Sequence, residues 1–481
     1  MAGGTRVYTV YTMHKPTGIT LRQKSVASDS EPKTFPWDWD RTAEYATAHW
    51  GSGSITPEML DKAAKRVERA GVAFRAQIIN QRLYIEDIKA LWFLRDYTPS
   101  RVQMLVEVLR RHKVPDLEAV FNSGDYPVML VPRNPKHMTD LYDDLKPPPI
   151  FSPTANIISF DLPWPDFSFL PPPGKHELGT PRWDEARQNI ISAAEKIRWE
   201  QKIDLAVMTG NMQAEPRQRL VEVAKEHTDS IFVNEIFIKT PTGRKNCIEE
   251  GLAKRGGHQK DACGIPFEDL CRFKYLINVG SNGYANKLKY LFLCKSVVIF
   301  VRTGAPNWEF FEHQFMPGRD YISVPTPEDV PAAISMLRSN EGYAQEVASQ
   351  GTARMTQMDL EEITRYGAAV LTKYSKLMGF TPTPRPGAWE VNCEDDLYRH
   401  YNRDGHLLQW AVGNNDTCIS KPKPEEIAYP GWGGAYKGSG VTCGAANDLY
   451  EVPRICDDEE RHPGDHLELY GKTKVKGAYG A

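Results

Sequence analysis

Residues 271–296 read CRFKYLINVGSNGYANKLKYLFLCKS, and few folds accommodate such a stretch. Tyr275 to Val279 is a short apolar run of β-forming residues that stops at once on Gly280, Ser281, Asn282 and Gly283. That is the pattern of a buried strand ending in a tight turn. Beyond the turn, Leu288, Leu291 and Phe292 recur at helical spacing, so the amides near Tyr284 to Lys287 are left at a free helix N-terminus. Such amides, with the helix dipole, attract anions. Lys287 and Lys289 fall in the first turns, slightly unfavourable for the helix itself and useful beside a docked pyrophosphate. Glycine turns between strand and helix also occur in α/β proteins that bind no phosphate, so the motif alone leaves both readings open.

At 481 residues the chain exceeds one ordinary core and suits two domains plus appendages. A net charge of -3 gives no bulk attraction to nucleic acid or to an acidic membrane. No apolar run reaches the roughly 18 residues of a membrane span. Residues 1–20 lack the charged start and continuous apolar core of a signal peptide. No CxxC or Cys/His cluster has zinc spacing, so no structural metal is expected.

Taken in order, residues 1–34 read as an irregular lead. Asp38-Trp39-Asp40 has the form of the metal-holding DxD of GT-A glycosyltransferases, but no strand-like run precedes it. Thr56-Pro57-Glu58 opens a helix that Gly71 ends, with an N-cap, a first-position proline and a first-turn acid. Residues 74–87 read as β structure. Thr98-Pro99 starts a helix with Val102, Leu105, Val106 and Leu109 on its buried face. Leu117 to Phe121 is the next strand, and it delivers Asn122 to Pro127, where ligands usually meet α/β sheets. The proline-rich stretches 147–149 and 171–173 bracket an irregular connection in which Trp164 and Phe167 either line a cleft or pack. A helix from Trp183 to Trp199 precedes the strand Ile203 to Met208, whose continuous apolar character suits a parallel sheet. Strands at Val297 to Val301 and Asp320 to Val324, helices from Asp329 and Asn340, and a helix from Leu360 to Met378 complete the reading.

The residue order from PFEDLCRFKYLI through KLKYLFLCKSVVIF to EFF and DYISV resembles the protein O-glucosyltransferase and capsule-associated-protein family, glycosyltransferase family 90. With gaps, the likeness runs from about Thr56 to Ser375. The resemblance implies an α/β protein of GT-B fold: two Rossmann-like domains facing across a cleft. It implies an inverting transfer of glucose or xylose from a UDP-sugar to a protein or glycan hydroxyl, with no metal and no cofactor beyond the donor substrate. An acceptor-side domain over 35–190, a donor domain over 191–355, a helix crossing back over 356–384 and a Cys/Gly-rich extension over 385–481 follow from it. A monomer is expected.

Residue by residue, the family's base lies in an equivalent Asp-Tyr-Pro at a strand end, which makes Asp125 the catalytic candidate. An inverting transfer needs one such carboxylate, unlike the carboxylate pair of most glycosidases. The alternative for Asp125 is a turn former. Thr209 to Arg217 lines up with the family's FRGSR loop, so Gly210, Asn211 and Arg217 are expected at the donor. Thr209 and Met212 stand where family members usually carry arginines, and Lys287 replaces a third. Asn282, Gly283, Tyr284, Ala285 and Lys287 form the expected donor loop. Glu309 either holds ribose hydroxyls or is a first-turn helix acid. Tyr126, Trp164 and Phe167 are placed on the acceptor side.

Cys271 and Cys294 occupy the family's disulfide positions around the donor loop, and Cys247, Cys263, Cys393, Cys418, Cys443 and Cys456 leave an even number for further pairs. An oxidising compartment, the secretory lumen, is therefore expected despite the unpromising N-terminus. The extension also carries a sequon at Asn415-Asp416-Thr417 and is read as a loop-rich, disulfide-stapled appendage. Two other readings stay open: a sugar- or protein-binding homologue without catalysis, and a GT-A-like metal enzyme using Asp38 and Asp40.

Overall fold

The structure is a computed structural model that describes residues 36–70, 73–89, 97–129, 147–157, 159–171, 181–236, 257–259, 264–280, 283–304, 306–401 and 418–420. The irregular lead, Asn282, Cys247, Cys263, Cys443, Cys456 and the sequon lie outside the described residues. In chain order the strands are β1 (Ala73–Ile79), β2 (Arg82–Lys89), β3 (Leu117–Asn122), β4 (Phe151–Ser152), β5 (Leu162–Pro163), β6 (Ile203–Gly210), β7 (Ile231–Glu235), β8 (Gly257–Gln259), β9 (Phe273–Val279), β10 (Val297–Val301), β11 (Ile322–Val324) and β12 (Trp389–Val391). They form two six-stranded sheets in the orders β12-β2-β1-β3-β4-β5 and β11-β10-β9-β6-β7-β8.

The second sheet is parallel throughout. Its central strands are apolar on both faces because both faces are covered. Side chains alternate along each strand, and the two faces enter different cores. Met208, Ile277, Val279, Ile299 and Val301 pack under the helices Glu215–Glu226, Val330–Ser339 and Glu341–Thr356. Val207, Leu276, Val298 and Phe300 point the other way, into a core continuous with that of the first sheet.

The first sheet is mixed. β1 pairs antiparallel with β2 and with β3, β12 adds antiparallel to β2, and only β3, β4 and β5 run parallel to one another. It thus departs from an all-parallel doubly wound sheet. The β1–β2 hairpin turns through Asn80 and Gln81, both at positive φ (51° and 63°) without the glycine that usually marks such a turn. Side-chain contacts hold the turn: the Asn80 amide donates to Asp116 Oδ1 at 2.8 Å, and Gln81 pairs with both main-chain groups of Val114.

The helix Leu360–Ser375 lies against the first sheet. Tyr374 donates to the Glu118 carbonyl at 3.0 Å and Tyr366 to the Pro163 carbonyl at 2.5 Å. The approach is close enough that a Cβ on Gly367 would lie 2.6 Å from Val108 and 3.3 Å from Trp164. The described part of the extension is no separate appendage. Trp389–Val391 covers the open edge of β2, and the Cys393–Cys418 disulfide fastens the segment behind it. An uncovered strand edge invites pairing with another chain, which explains the placement.

Candidate active site

The C-terminal ends of β3, β4 and β5 carry the loops that meet those of the second sheet. β3 ends in Asn122, whose buried side chain shapes the following turn. Its Oδ1 accepts from the Gly124 amide at 2.8 Å, and its Nδ2 donates to the Tyr126 carbonyl at 2.8 Å and to Ser152 Oγ at 3.1 Å. Thr98 meets Ser123, and Arg101 donates to the Gly124 carbonyl at 3.2 Å. Asp125 and Tyr126, at the tip, are exposed.

The donor loop closes directly on this turn. A Cβ built on Gly283 would overlap the Asp125 carbonyl oxygen, so only glycine fits there. The Gly283 carbonyl accepts from Asn307 Nδ2 at 2.8 Å, and Asn307 Oδ1 accepts from Asn156 Nδ2 at 2.8 Å. Ala155 and Trp308 exchange main-chain hydrogen bonds in the same region. Loops after β3, β4, β9 and β10 therefore converge.

On the donor side two cations share one spot. A Cβ on Gly210, which has φ 146°, would lie 3.7 Å from Arg217 Nη1 and 3.9 Å from Lys287 Nζ. Both side chains are 8% exposed. Arg217 donates to the carbonyls of Asn211, Val279 and Gly280, and Lys287 to that of Thr209 at 2.5 Å. Neither has a carboxylate partner among the described residues. Burial pulls Arg217 down to about 10, and burial and then Arg217 pull Lys287 well below 10.5. A buried cation pair without counter-charge is an anion site in waiting. The helix Leu288–Phe292 is only five residues long, so these side chains outweigh its dipole in attracting an anion. Ala285 accepts the Leu288 amide at 3.0 Å and starts that turn, while the Asn211 side chain caps the Gln213 amide at 2.7 Å.

Lys289 does not join the anion site. Fully buried, it donates to Glu309 Oε1 at 3.0 Å and the Asn286 carbonyl at 2.7 Å, and reaches Asp166 Oδ2 at 3.4 Å. Burial disfavours its charge, but Asp166 and Glu309 outweigh burial and keep it protonated. Burial raises Glu309 well above the usual carboxylate range against the pull of Lys289, and Glu309 Oε2 has no hydrogen-bond partner among the described residues. Asp166 Oδ2 also accepts from the Tyr284 hydroxyl at 2.6 Å, joining the end of β5 to the donor loop.

Several expectations need correction. Trp164 is fully buried, edge-on to Phe121 and Phe151, and Phe167 is 3% exposed, so both pack rather than line an acceptor surface. Tyr126 alone of that trio is open. Asp38 is the N-cap of the helix Trp39–Thr47, accepting from the Arg41 amide at 3.0 Å, with Asp40 in its first turn. The DxD therefore starts a helix instead of ending a strand. Cys271 and Cys294 are bonded, yet just before β9 and β10 begin, at the opposite end of the sheet from the donor loop. Sequence reading missed Asn122, Asp161, Asp166 and Asn307. Polar residues next to strand ends were the available signal, and β4 and β5, at two residues each, were too short to show where those ends lie.

An exposed carboxylate beside a glycine loop and a buried cation pair can hold an anionic ligand next to a base. Comparison with known proteins gives the family. The profile of glycosyl transferase family 90 matches residues 40–425, and the chain belongs to that family. It is 28% identical over 350 residues to protein O-glucosyltransferase 1 of Rattus norvegicus, covering 70% of this chain and 80% of that one. It is 26% identical over 345 residues to protein O-glucosyltransferase 1 of Homo sapiens, covering 70% and 79%. O-glucosyltransferase rumi of Drosophila melanogaster is 25% identical over 359 residues, covering 73% and 77%. The family match extends past Ser375 into the segment that forms β12.

Proposed function

We propose that this chain is an inverting glycosyltransferase of GT-B arrangement that moves glucose or xylose from UDP to a hydroxyl of a protein or glycan. The names of the relatives favour glucose. Residues 35–190 serve as the acceptor side, 191–355 as the donor side, and the helix within 356–384 braces the first against the second. The observation that carries the reading is the contact of Gly283 with Asp125, which brings the donor loop to the candidate base.

In the reaction Asp125 takes the proton of the acceptor hydroxyl as that oxygen bonds to the anomeric carbon, while the bond from that carbon to the diphosphate breaks and UDP leaves. Arg217 and Lys287 meet the charge developing on the diphosphate, the task a metal performs in other transferases. Gly210, Asn211, Tyr284 and Ala285 shape the donor loops around them. Glu309 faces Lys289 in the buried cluster, so its contribution to a bound ribose runs through Oε2. The two disulfides among the described residues support the secretory lumen as the site of action.

A screen of UDP-sugars for UDP release, with and without chelator, tests the reading. Release from UDP-glucose or UDP-xylose that survives chelation is expected. Tight UDP-sugar binding with no turnover on any acceptor would favour a binding protein, a reading that Thr209 and Met212 in place of arginines keep in view.

A further inference from the structure

Asp161 lies at the entry to β5, 5% exposed, and makes no contact with the donor loop in any hydrogen bond described. Its carboxylate instead grips the chain just after the Asp125 turn. Oδ1 accepts from the Val128 amide at 2.9 Å and Oδ2 from the Met129 amide at 2.7 Å. Oδ1 also accepts from Ser152 Oγ at 2.5 Å, and Ser152 Oγ in turn accepts from Asn122 Nδ2 at 3.1 Å. Asn122 closes the loop by holding the Gly124 amide and the Tyr126 carbonyl. One buried carboxylate therefore fixes both sides of the exposed aspartate: directly on the 128–129 side, and through Ser152 and Asn122 on the 124–126 side.

We infer that Asp161 is the positioning residue for Asp125, fixing the main chain of the turn that carries it through the Ser152–Asn122 chain and the amides of Val128 and Met129. The inference rests on the reading of Asp125 as base. Where an exposed side chain on a turn sits depends on how firmly the backbone on either side of it is held. Thr98 and Arg101 hold the turn at Ser123 and Gly124, while the hydrogen bonds at the Gly124 amide, the Tyr126 carbonyl and the Val128 and Met129 amides lead back to Asp161 directly or through Ser152 and Asn122. Only an ionised carboxylate suits the place: its two oxygens face two N–H donors and a hydroxyl, and an amide would turn a donor toward one of them. Burial pushes Asp161 up to about 6, against the pull of Ser152, Val128 and Met129, so the group is kept at some expense to stability. A carboxylate retained under those terms points to a positional duty.

The test is a kinetic cycle with Asp125→Asn, Asp161→Asn and the double variant, using UDP-glucose and the acceptor found in the screen above. Loss of positioning in Asp161→Asn should lower kcat by about 10²-fold with donor KM changed by less than about twofold, the pattern of an interaction felt in the transition state. Added to Asp125→Asn, it should cause no further loss, because there is no base left to aim. Losses that multiply in the double variant, or a loss that falls equally on donor KM, would overturn the positioning role. If Asp161→Asn does not fold, Ser152→Ala breaks the same chain at a smaller side chain and carries the same expectations in the same cycle. Undiminished transfer in Asp125→Asn alone removes the base itself, whereas normal kcat in Asp161→Asn beside an impaired Asp125→Asn removes only the inference.

Discussion

Gly283 packs its α-carbon against the main-chain carbonyl of Asp125, a residue 158 positions earlier in the chain and on the loop of the other sheet. Because the contact is backbone to backbone, neither partner has a flexible side chain that can swing away. The donor loop and the main chain that carries the carboxylate are thereby held at a fixed separation. Asn307 reinforces the contact by donating to the Gly283 carbonyl.

Gly283→Ala should therefore push the two loops apart. Overpacking of this kind costs about 1–3 kcal/mol of stability, and a displacement near 1 Å between reacting groups lowers turnover by about 10²-fold. Thermal unfolding and transfer kinetics on the same preparation measure both. A variant with normal turnover would show that the approach is incidental.

Asp125→Asn keeps the shape of the side chain and its hydrogen bonding while deleting its basicity. Transfer should fall by roughly 10²-fold to 10⁴-fold, and calorimetric affinity for UDP should stay as in the wild type, since Arg217 and Lys287, the cations proposed for the diphosphate, lie around Gly210. Equal losses in both would move Asp125 from the reaction to the binding of the donor.

What could be read from residues alone was the part with long apolar runs. β9, β10, β6 and β3, and the helices opened by Pro57 and Thr98, all follow from period and capping, as does the end of β9 at its glycine turn. The antiparallel half of the first sheet did not show, because Asn80 and Gln81 make its turn without a glycine and are held there by Asp116 and Val114. Lys289 looked like a second phosphate cation from its place in the helix. Its true partners are 123 and 20 positions away: Asp166 reaches it from the loop after β5 of the other sheet, and Glu309 from the loop after β10. Trp164 failed for a similar reason: whether an aromatic in an irregular segment lines a cleft or packs depends on the helix laid over it, here that of Gly367.

The Cys271–Cys294 bond spans 23 positions and closes a loop that contains β9, the donor loop and the short helix. In the chain-entropy account such a loop contributes about 3 kcal/mol. The bond itself sits at the base of the parallel sheet, where buried Lys202 donates to the carbonyls of both cysteines. Replacing both cysteines by serine should lower the denaturation midpoint accordingly and leave UDP affinity near that of the wild type. A large drop in UDP affinity with little change in stability would mean that the bond shapes the donor loop after all.

Lys287 provides the sharpest electrostatic test, because binding and folding should respond to pH with opposite signs. Burial first, and Arg217 second, depress its pKa well below 10.5 in the ligand-free protein. The unfolded chain then binds more protons than the folded one between that depressed value and 10.5, so Lys287 makes ligand-free stability rise with pH across the window. A diphosphate beside the ammonium supplies the missing counter-charge and raises the pKa again. Binding must therefore take up protons, and UDP affinity should be full below the ligand-free value and decline as pH rises toward the bound one. Calorimetry in two buffers of different ionisation enthalpy reads the uptake, and the difference between wild type and Lys287→Met separates the lysine from titration of the nucleotide. The variant should lose that uptake together with about 1.5–3 kcal/mol of UDP binding. Identical proton uptake and affinity in the two proteins would place the diphosphate away from Lys287.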